Sequence, residues 1–154
     1  MHEITREEAL AILDQVPVAH LAMVDGGEPY VTPMSFIVDE GFMYFRTMPG
    51  KKLDALAENP KVCVEASIYD DQTGDWESVI IQGEAEIVED QEVREKTVSA
   101  LYQKYDQVMG SPLGRPGRPQ LDAGLVRVVR VTIDQVTGMT SGKGFAVRTR
   151  PGRL

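Results

Sequence analysis

Arg46, Thr47, Lys51 and Lys52 lie within the single stretch "YFRTMPGKKL", where a β-rich run ends, Pro49-Gly50 turns the chain and two adjacent lysines open what reads as a short helix. The N-terminus of a helix already carries positive partial charge, so ammonium groups there weaken the isolated helix. The outward-pointing backbone N–H groups of that first turn, together with the same cations, make an anion site. A phosphate resolves the conflict. Thr47 adds a hydroxyl, Arg46 a guanidinium, and Pro49-Gly50 a backbone turn able to approach a ligand closely. Both lysines also read as solvated surface residues, and this stretch alone leaves the two readings open.

The rest of the chain narrows the function classes. It has 154 residues, 42% hydrophobic, which suits one compact domain. The net charge of −8 argues against nucleic acid, whose binding rests on neutralising phosphates. Residues 1–110 hold 8 basic against 22 acidic residues and residues 111–154 hold 8 against 2, so a basic piece follows an acidic body. That piece either complements the body's charge or reaches an anionic ligand. No run of about 18 apolar residues and no signal-peptide pattern occurs, and a cytoplasmic location without membrane partners is expected. Cys63 is a lone cysteine, read as a small buried hydrophobe, and His2 and His20 are the two histidines. No metal cluster or Ser-His-Asp grouping is legible. His20 alternates with apolar neighbours and reads as a structural hydrogen-bonding residue, with proton donation the alternative.

These residues need elements to position them. "ITREEALAILDQV" opens with a capping box, Thr5 with Glu8, and predicts an N-terminal helix within residues 1–16. Strands are predicted near 18–24, 29–38 and 42–47, separated by Asp25-Gly26-Gly27 and Asp39-Glu40-Gly41. Pro33 cannot donate to a ladder, which predicts a bulge or an edge there. After the lysine pair comes a helix of about two turns, stopped at Asn59-Pro60. "VCVEASIY" is a strand with Val62, Val64, Ala66 and Ile68 on one face. "WESVIIQGEAEIVED" is a long strand with a bulge or bend at Gly83. In "DQEVREKTVSALYQKYDQV" the spacing of Val93, Thr97, Val98, Leu101, Tyr102 and Tyr105 predicts a helix in which both tyrosines pack. "GSPLGRPGRPQ" reads as a loop, "LVRVVRVTIDQVTGM" as one last strand, and residues 139–154 as a basic tail. About six antiparallel strands with short turns are best served by closure into a barrel.

In order and spacing, "VAHLAMVDGGEPYVTPMSF", "GFMYFRTMPGKKLDALAENPKVCVEA", "WESVIIQGEAEIVED" and "VRVTIDQVTG" resemble the FMN-binding split-barrel superfamily of pyridoxamine 5′-phosphate oxidase-like proteins. Within it they look most like the nitroimidazole-resistance-type branch. The resemblance implies a mainly β fold, a six-stranded antiparallel split barrel, and an FMN cofactor, with a deazaflavin as alternative. It implies that Thr47, Lys51 and Lys52 hold the phosphate with Arg46 nearby, that Val31, Thr32, Pro33, Met34 and Ser35 line the ring, and that Ser78 and Trp76 contribute from the segment before the bend. By residue type alone, Trp76 reads as a core or interface anchor ahead of a flavin contact. A homodimer with the cofactor at the interface is implied as well. The function implied is an oxidoreductase passing electrons from a reduced nicotinamide nucleotide to a small nitro or quinone-type acceptor. The charge of the basic tail, with Lys143 and Arg148, suggests that it meets the anionic donor. A non-catalytic flavin sensor and an interaction protein with an empty site are the rival classes. Many relatives carry histidine at the position of Arg46, and the chain ends "TRPGRL" rather than with the Arg-Leu-x-Pro element of vitamin B6 oxidases, so pyridoxamine phosphate oxidation itself is not expected.

Overall fold

Two-residue turns organise the first half of the chain. Gly26 and Gly27 (φ 58° and 82°) and Glu40 and Gly41 (φ 46° and 82°) supply the paired positive φ values that a tight hairpin of right-twisted strands requires. They join β2 (Val18–Asp25), β3 (Glu28–Asp39) and β4 (Phe42–Thr47) into an antiparallel meander. The computed structural model describes residues 1–109 and 126–142. The loop expected at 110–120 and the tail from 143 onward, with Lys143 and Arg148, lie outside the described residues.

Before the meander come β1 (His2–Ile4) and α1 (Arg6–Gln15); after it come α2 (Lys51–Glu58), β5 (Lys61–Tyr69), β6 (Trp76–Val88), α3 (Gln91–Met109), β7 (Arg127–Thr132) and β8 (Gln135–Thr140). The neighbours β6-β5-β2-β3-β4-β7 close on themselves through a β6–β7 ladder, giving a six-stranded antiparallel barrel. The fold is mainly β, as the sequence predicts. Strands β8 and β1 extend the sheet beside the first half of β6.

The run expected to be one last strand is two. β7 lies between β4 and the end of β6, whereas β8 lies against the start of β6, and the break falls at Ile133-Asp134. Asp134 N–H donates to the carbonyl of Gln82, and Thr132 Oγ1 accepts from Glu84 N–H, so the break is stitched to β6 on either side of Gly83. A Cβ at Gly83 would sit 1.8 Å from the Thr132 carbonyl oxygen, and this close approach is what requires glycine there. β6 keeps its register with β5 through Val62 and Gly83, so no bulge forms on that side. Met139 and Thr140, placed in the tail from sequence, belong to β8, and β1 was not anticipated.

Alternation sorts the side chains. Leu21, Phe36, Met43, Phe45, Val64, Val79, Ile81, Val129 and Val131 fill the barrel, joined by Ala9, Ile12 and Leu13 of α1 and Ala55 and Leu56 of α2. Phe36 and Phe45, both fully buried with ring centroids 6.0 Å apart, each contribute about 1.5–3 kcal/mol of apolar burial. The capping box of α1 forms as expected: Glu8 N–H donates to Thr5 Oγ1, and the Thr5 N–H donates to Glu8 Oε2. α3 packs outside the barrel on β3, β4 and β7, burying Thr97, Leu101 and Tyr105. No described helix is long and apolar enough to cross a membrane.

Candidate functional site

The barrel has a fork. β3 pairs with β2 along residues 28–35 and with β4 along residues 36–39, and the β3–β4 ladder ends at the Phe36–Phe45 rung. Ser35 and Arg46 come next on each strand, yet Ser35 stays with β2 opposite Val18 while Arg46 stays with β7 opposite Val128. The strands part, and a cleft of about 480 Å³ opens between them. Pro33 lies on the segment of β3 whose second edge has no strand partner among the described residues; it pairs in register with His20, so the position is an edge and not a bulge.

The cleft is lined by Tyr30, Pro33, Met34 and Ser35 from β3, by Arg46 and Thr47 from β4, and by Met48, Pro49, Gly50, Lys51 and Lys52 from the turn into α2. Among the described residues the lining holds three cations and no carboxylate. Gly50 is the N-cap of α2 and offers no side chain to cap the helix, in contrast to the full capping box of α1. Leu53 N–H closes on the Gly50 carbonyl at 3.1 Å, and ahead of it the backbone of Lys51 and Lys52, their two ammonium groups, a guanidinium and a threonine hydroxyl border one cleft, a donor set suited to a phosphate. Thr47 is nearly buried and its hydroxyl donates to the Met48 carbonyl at 3.3 Å.

Lys51 already has an anionic partner. Its Nζ is 3.0 Å from Asp25 Oδ2 in the β2–β3 turn, and the hydrogen bond and charge of Asp25 raise the lysine's pKa. The lysine side chain is 84% exposed, so this pair is solvent-screened and readily exchanged. Sequence reading did not find Asp25, because nothing in the chain's local pattern brings residue 25 to residue 51. Tyr30 and Met48 were missed as well, although each adjoins a segment that was identified.

The other expected site residues lie elsewhere. Val31 is 59% exposed on the outer face of the sheet, and Thr32 points inward and is buried. Trp76 and Ser78 are on β6, half-buried, on the same outer face but separated from β3 by β2 and β5, about 14 Å at the usual strand spacing. Trp76 N–H donates to Ser141 Oγ at 2.8 Å. His20 stands on this face with Nδ1 2.9 Å from Glu65 Oε2. Cys63 is half-buried on the outer side of β5, opposite the core row of Val62, Val64 and Ala66, and so is not the buried hydrophobe expected.

Comparison with known proteins gives a consistent setting. The sequence signature described as Pyridoxamine 5′-phosphate oxidase matches residues 5–140. Among solved structures, an FAD-binding protein from Mesorhizobium loti superposes with a TM-score of 0.74 at 26% identity, over 92% of this chain and 98% of that one. A candidate 5-nitroimidazole antibiotic resistance protein from Bacteroides thetaiotaomicron gives a TM-score of 0.71 at 24% identity, over 90% and 86% of the two chains. An uncharacterized protein of Rhizobium meliloti is 29% identical over 79 residues, a match spanning 51% of this chain and 52% of that relative.

Proposed function

Because the chain belongs to the pyridoxamine 5′-phosphate oxidase family of split barrels, we propose that it is a flavin-binding oxidoreductase whose cofactor is FMN. The observation that carries this reading is the cleft at the fork between β3 and β4, where the start of α2, without a side-chain cap, meets Arg46, Lys51 and Lys52 with no carboxylate among the described lining residues. A terminal phosphate, with a charge of about −1.5 to −2 at neutral pH, suits that set. Lys51, Lys52 and Thr47 hold the phosphate, and Pro33, Met34 and Ser35 form the wall along the ring. The Mesorhizobium protein is FAD-binding, which supports a flavin and makes FAD, whose corresponding phosphate is part of a diphosphate bridge, the form to be separated from FMN by experiment.

A bound flavin supplies two-electron transfer, taking a hydride from a reduced nicotinamide nucleotide and delivering the electrons to a nitro or quinone-type acceptor. The protein's own part is to hold the phosphate, fix the ring against β3 and keep water from one side of it.

The same reading includes a homodimer. The outer face of the β3-β2-β5-β6 sheet exposes Val18, Val31, Tyr69 and Ile80, together with the His20–Glu65 pair. A second copy laid on this face covers them, and a two-fold pairing brings the Trp76 and Ser78 patch of each copy up to the cleft of the other. This accounts for site residues that fall in two separated places on one chain.

The test is an absorbance spectrum of the freshly purified protein, mass analysis of the small molecule that heat releases, and turnover with a reduced nicotinamide nucleotide. A flavin spectrum, an FMN mass and turnover support the whole reading. Flavin without turnover leaves a flavin-binding protein, a deazaflavin mass replaces the cofactor, and a colourless chain that takes up neither overturns the reading.

A further inference from the structure

β3 changes partner between Ser35 and Phe36. Its ladder with β2 reaches Ser35, opposite Val18, and its ladder with β4 ends at Phe36, opposite Phe45. Continued by one residue, the β2 register would set Pro17 against Phe36, and proline has no N–H to give. Two adjacent residues of α3 reach this point. Lys104 Nζ donates to the Phe36 carbonyl at 3.1 Å and to the Leu13 carbonyl, in the last turn of α1, at 2.9 Å, and it sits 3.5 Å over the Phe36 ring. The Tyr105 hydroxyl donates to the Pro17 carbonyl at 2.5 Å. Among the described residues no carboxylate lies within ion-pair distance of Lys104. Packing alone gives no reason for a half-buried ammonium here, since an apolar side chain of similar length fills the space without desolvating a charge. Ser35, next to Phe36, lines the cofactor cleft.

We propose that Lys104 is a positioning residue for the cofactor cleft: bonded to β3 where the strand changes partner and to the end of α1, its ammonium fixes the β3 side of the fork and so the gap in which the ligand lies. For the identity of that ligand the proposal rests on the flavin reading above. It gives α3, which among the described residues contributes nothing to the cleft lining, a part in shaping it. The fit then depends on the lysine's charge, because an ammonium makes a stronger hydrogen bond to a carbonyl than an amine does. Burial pushes the Lys104 pKa down to about 8, with Asp14 pulling the other way, so the charge is shed between pH 7 and 9. The other titratable groups in the groove that Lys104 lines are Asp14 of α1, Asp39 of β3, Tyr44 of β4 and Lys96 of α3.

Two measurements test it. The first needs no cofactor: amide hydrogen exchange, read by mass spectrometry, in the wild-type chain and in Lys104→Met. Exchange quickens about threefold or more in peptides covering residues 34–37 and 45–47 and stays as it was in β5, away from the fork; a role in stability alone quickens it in both places. The second is FMN titration at pH 7 and 9 with wild type, Lys104→Arg and Lys104→Met. The wild type weakens about threefold at the higher pH, Lys104→Arg keeps its charge and its affinity, and Lys104→Met is about fivefold weaker than wild type already at pH 7. Unchanged exchange at the fork, uniform quickening throughout the chain, or a parallel loss with pH in wild type and Lys104→Arg overturns the proposal. If Lys104→Met does not fold, the pH comparison decides. A wild-type chain that binds no FMN defeats the flavin reading, and the exchange pattern then decides the positioning role by itself.

Discussion

The ammonium of Lys51, in the first turn of α2, is 3.0 Å from the carboxylate of Asp25 in the β2–β3 turn, so a cation at the mouth of the cleft is held by an internal anion. A ligand phosphate must compete with that carboxylate. Asp25→Asn is expected to tighten FMN about threefold, in line with the small worth of exposed ion pairs, and the gain should shrink as salt rises. Titration at two ionic strengths checks it; weaker binding would show that Asp25 steers Lys51 toward the ligand.

Lys52 is free of such a competitor among the contacts described. Lys52→Ala should weaken FMN roughly tenfold or more while leaving riboflavin, which lacks the phosphate, bound as before. Equal losses for both ligands would place Lys52 away from the phosphate.

Gly83→Ala is expected to be severely destabilising. Its Cβ would meet the Thr132 backbone oxygen at 1.8 Å, and neither strand can move without breaking the stitches that Glu84 and Asp134 make across the β7–β8 break. A loss of about 2–3 kcal/mol or more by urea unfolding is the expected outcome. A variant as stable as the wild type would mean that the crossing is looser than described.

Lys104 of α3 lies 3.5 Å over the Phe36 ring and donates to the carbonyls of Leu13 and Phe36 at 2.9 and 3.1 Å. Burial pushes its pKa from 10.5 down to about 8, with Asp14 pulling the other way. Between these two values the unfolded chain binds more protons at this site than the folded one, so its contribution makes stability rise with pH across the window and fall again as pH drops through about 8. The rise is on the order of 2 kcal/mol. Denaturation of wild type and Lys104→Met at pH 7.5 and 10 isolates it; parallel changes in the two proteins would refute the assignment.

On the outer face, Ile80 is 43% exposed in the middle of β6. If two copies meet there, Ile80→Asp places unpaired carboxylates in the contact and shifts the protein toward monomer, with loss of flavin affinity. Sedimentation at several concentrations reads the shift. An unchanged assembly would move the interface elsewhere.

Local signals carried most of the fold. The Gly-rich turns at residues 26–27 and 40–41 set both hairpins, and the Thr5–Glu8 pair set α1, because each is chemistry between near neighbours. The break at Ile133-Asp134 is marked in the sequence only by two successive polar residues, Asp134 and Gln135, after which apolar positions resume at Val136 on the other parity; what splits the strand is a change of partner, and partners are not written locally. The three residues of β1 are too few to show any period. On α3, helix spacing correctly marked Tyr105 as a packing residue, but periodicity reports which face a side chain occupies and says nothing of what its hydroxyl touches, here the Pro17 carbonyl. The Lys51–Asp25 pair likewise depends on α2 coming to lie beside the first hairpin.

Among the described residues no strand pairs with the second edge of β3 along residues 28–35, and this bears on how the chain can change over time. Amide and carbonyl groups are the same whatever side chain hangs from them, proline's missing N–H aside. A ligand read along such an edge is read through the backbone, so substitutions at outward positions such as Val31 leave that part of its surroundings intact. On the flavin proposal, side chains along this edge are free to drift while the backbone that meets the ligand stays the same.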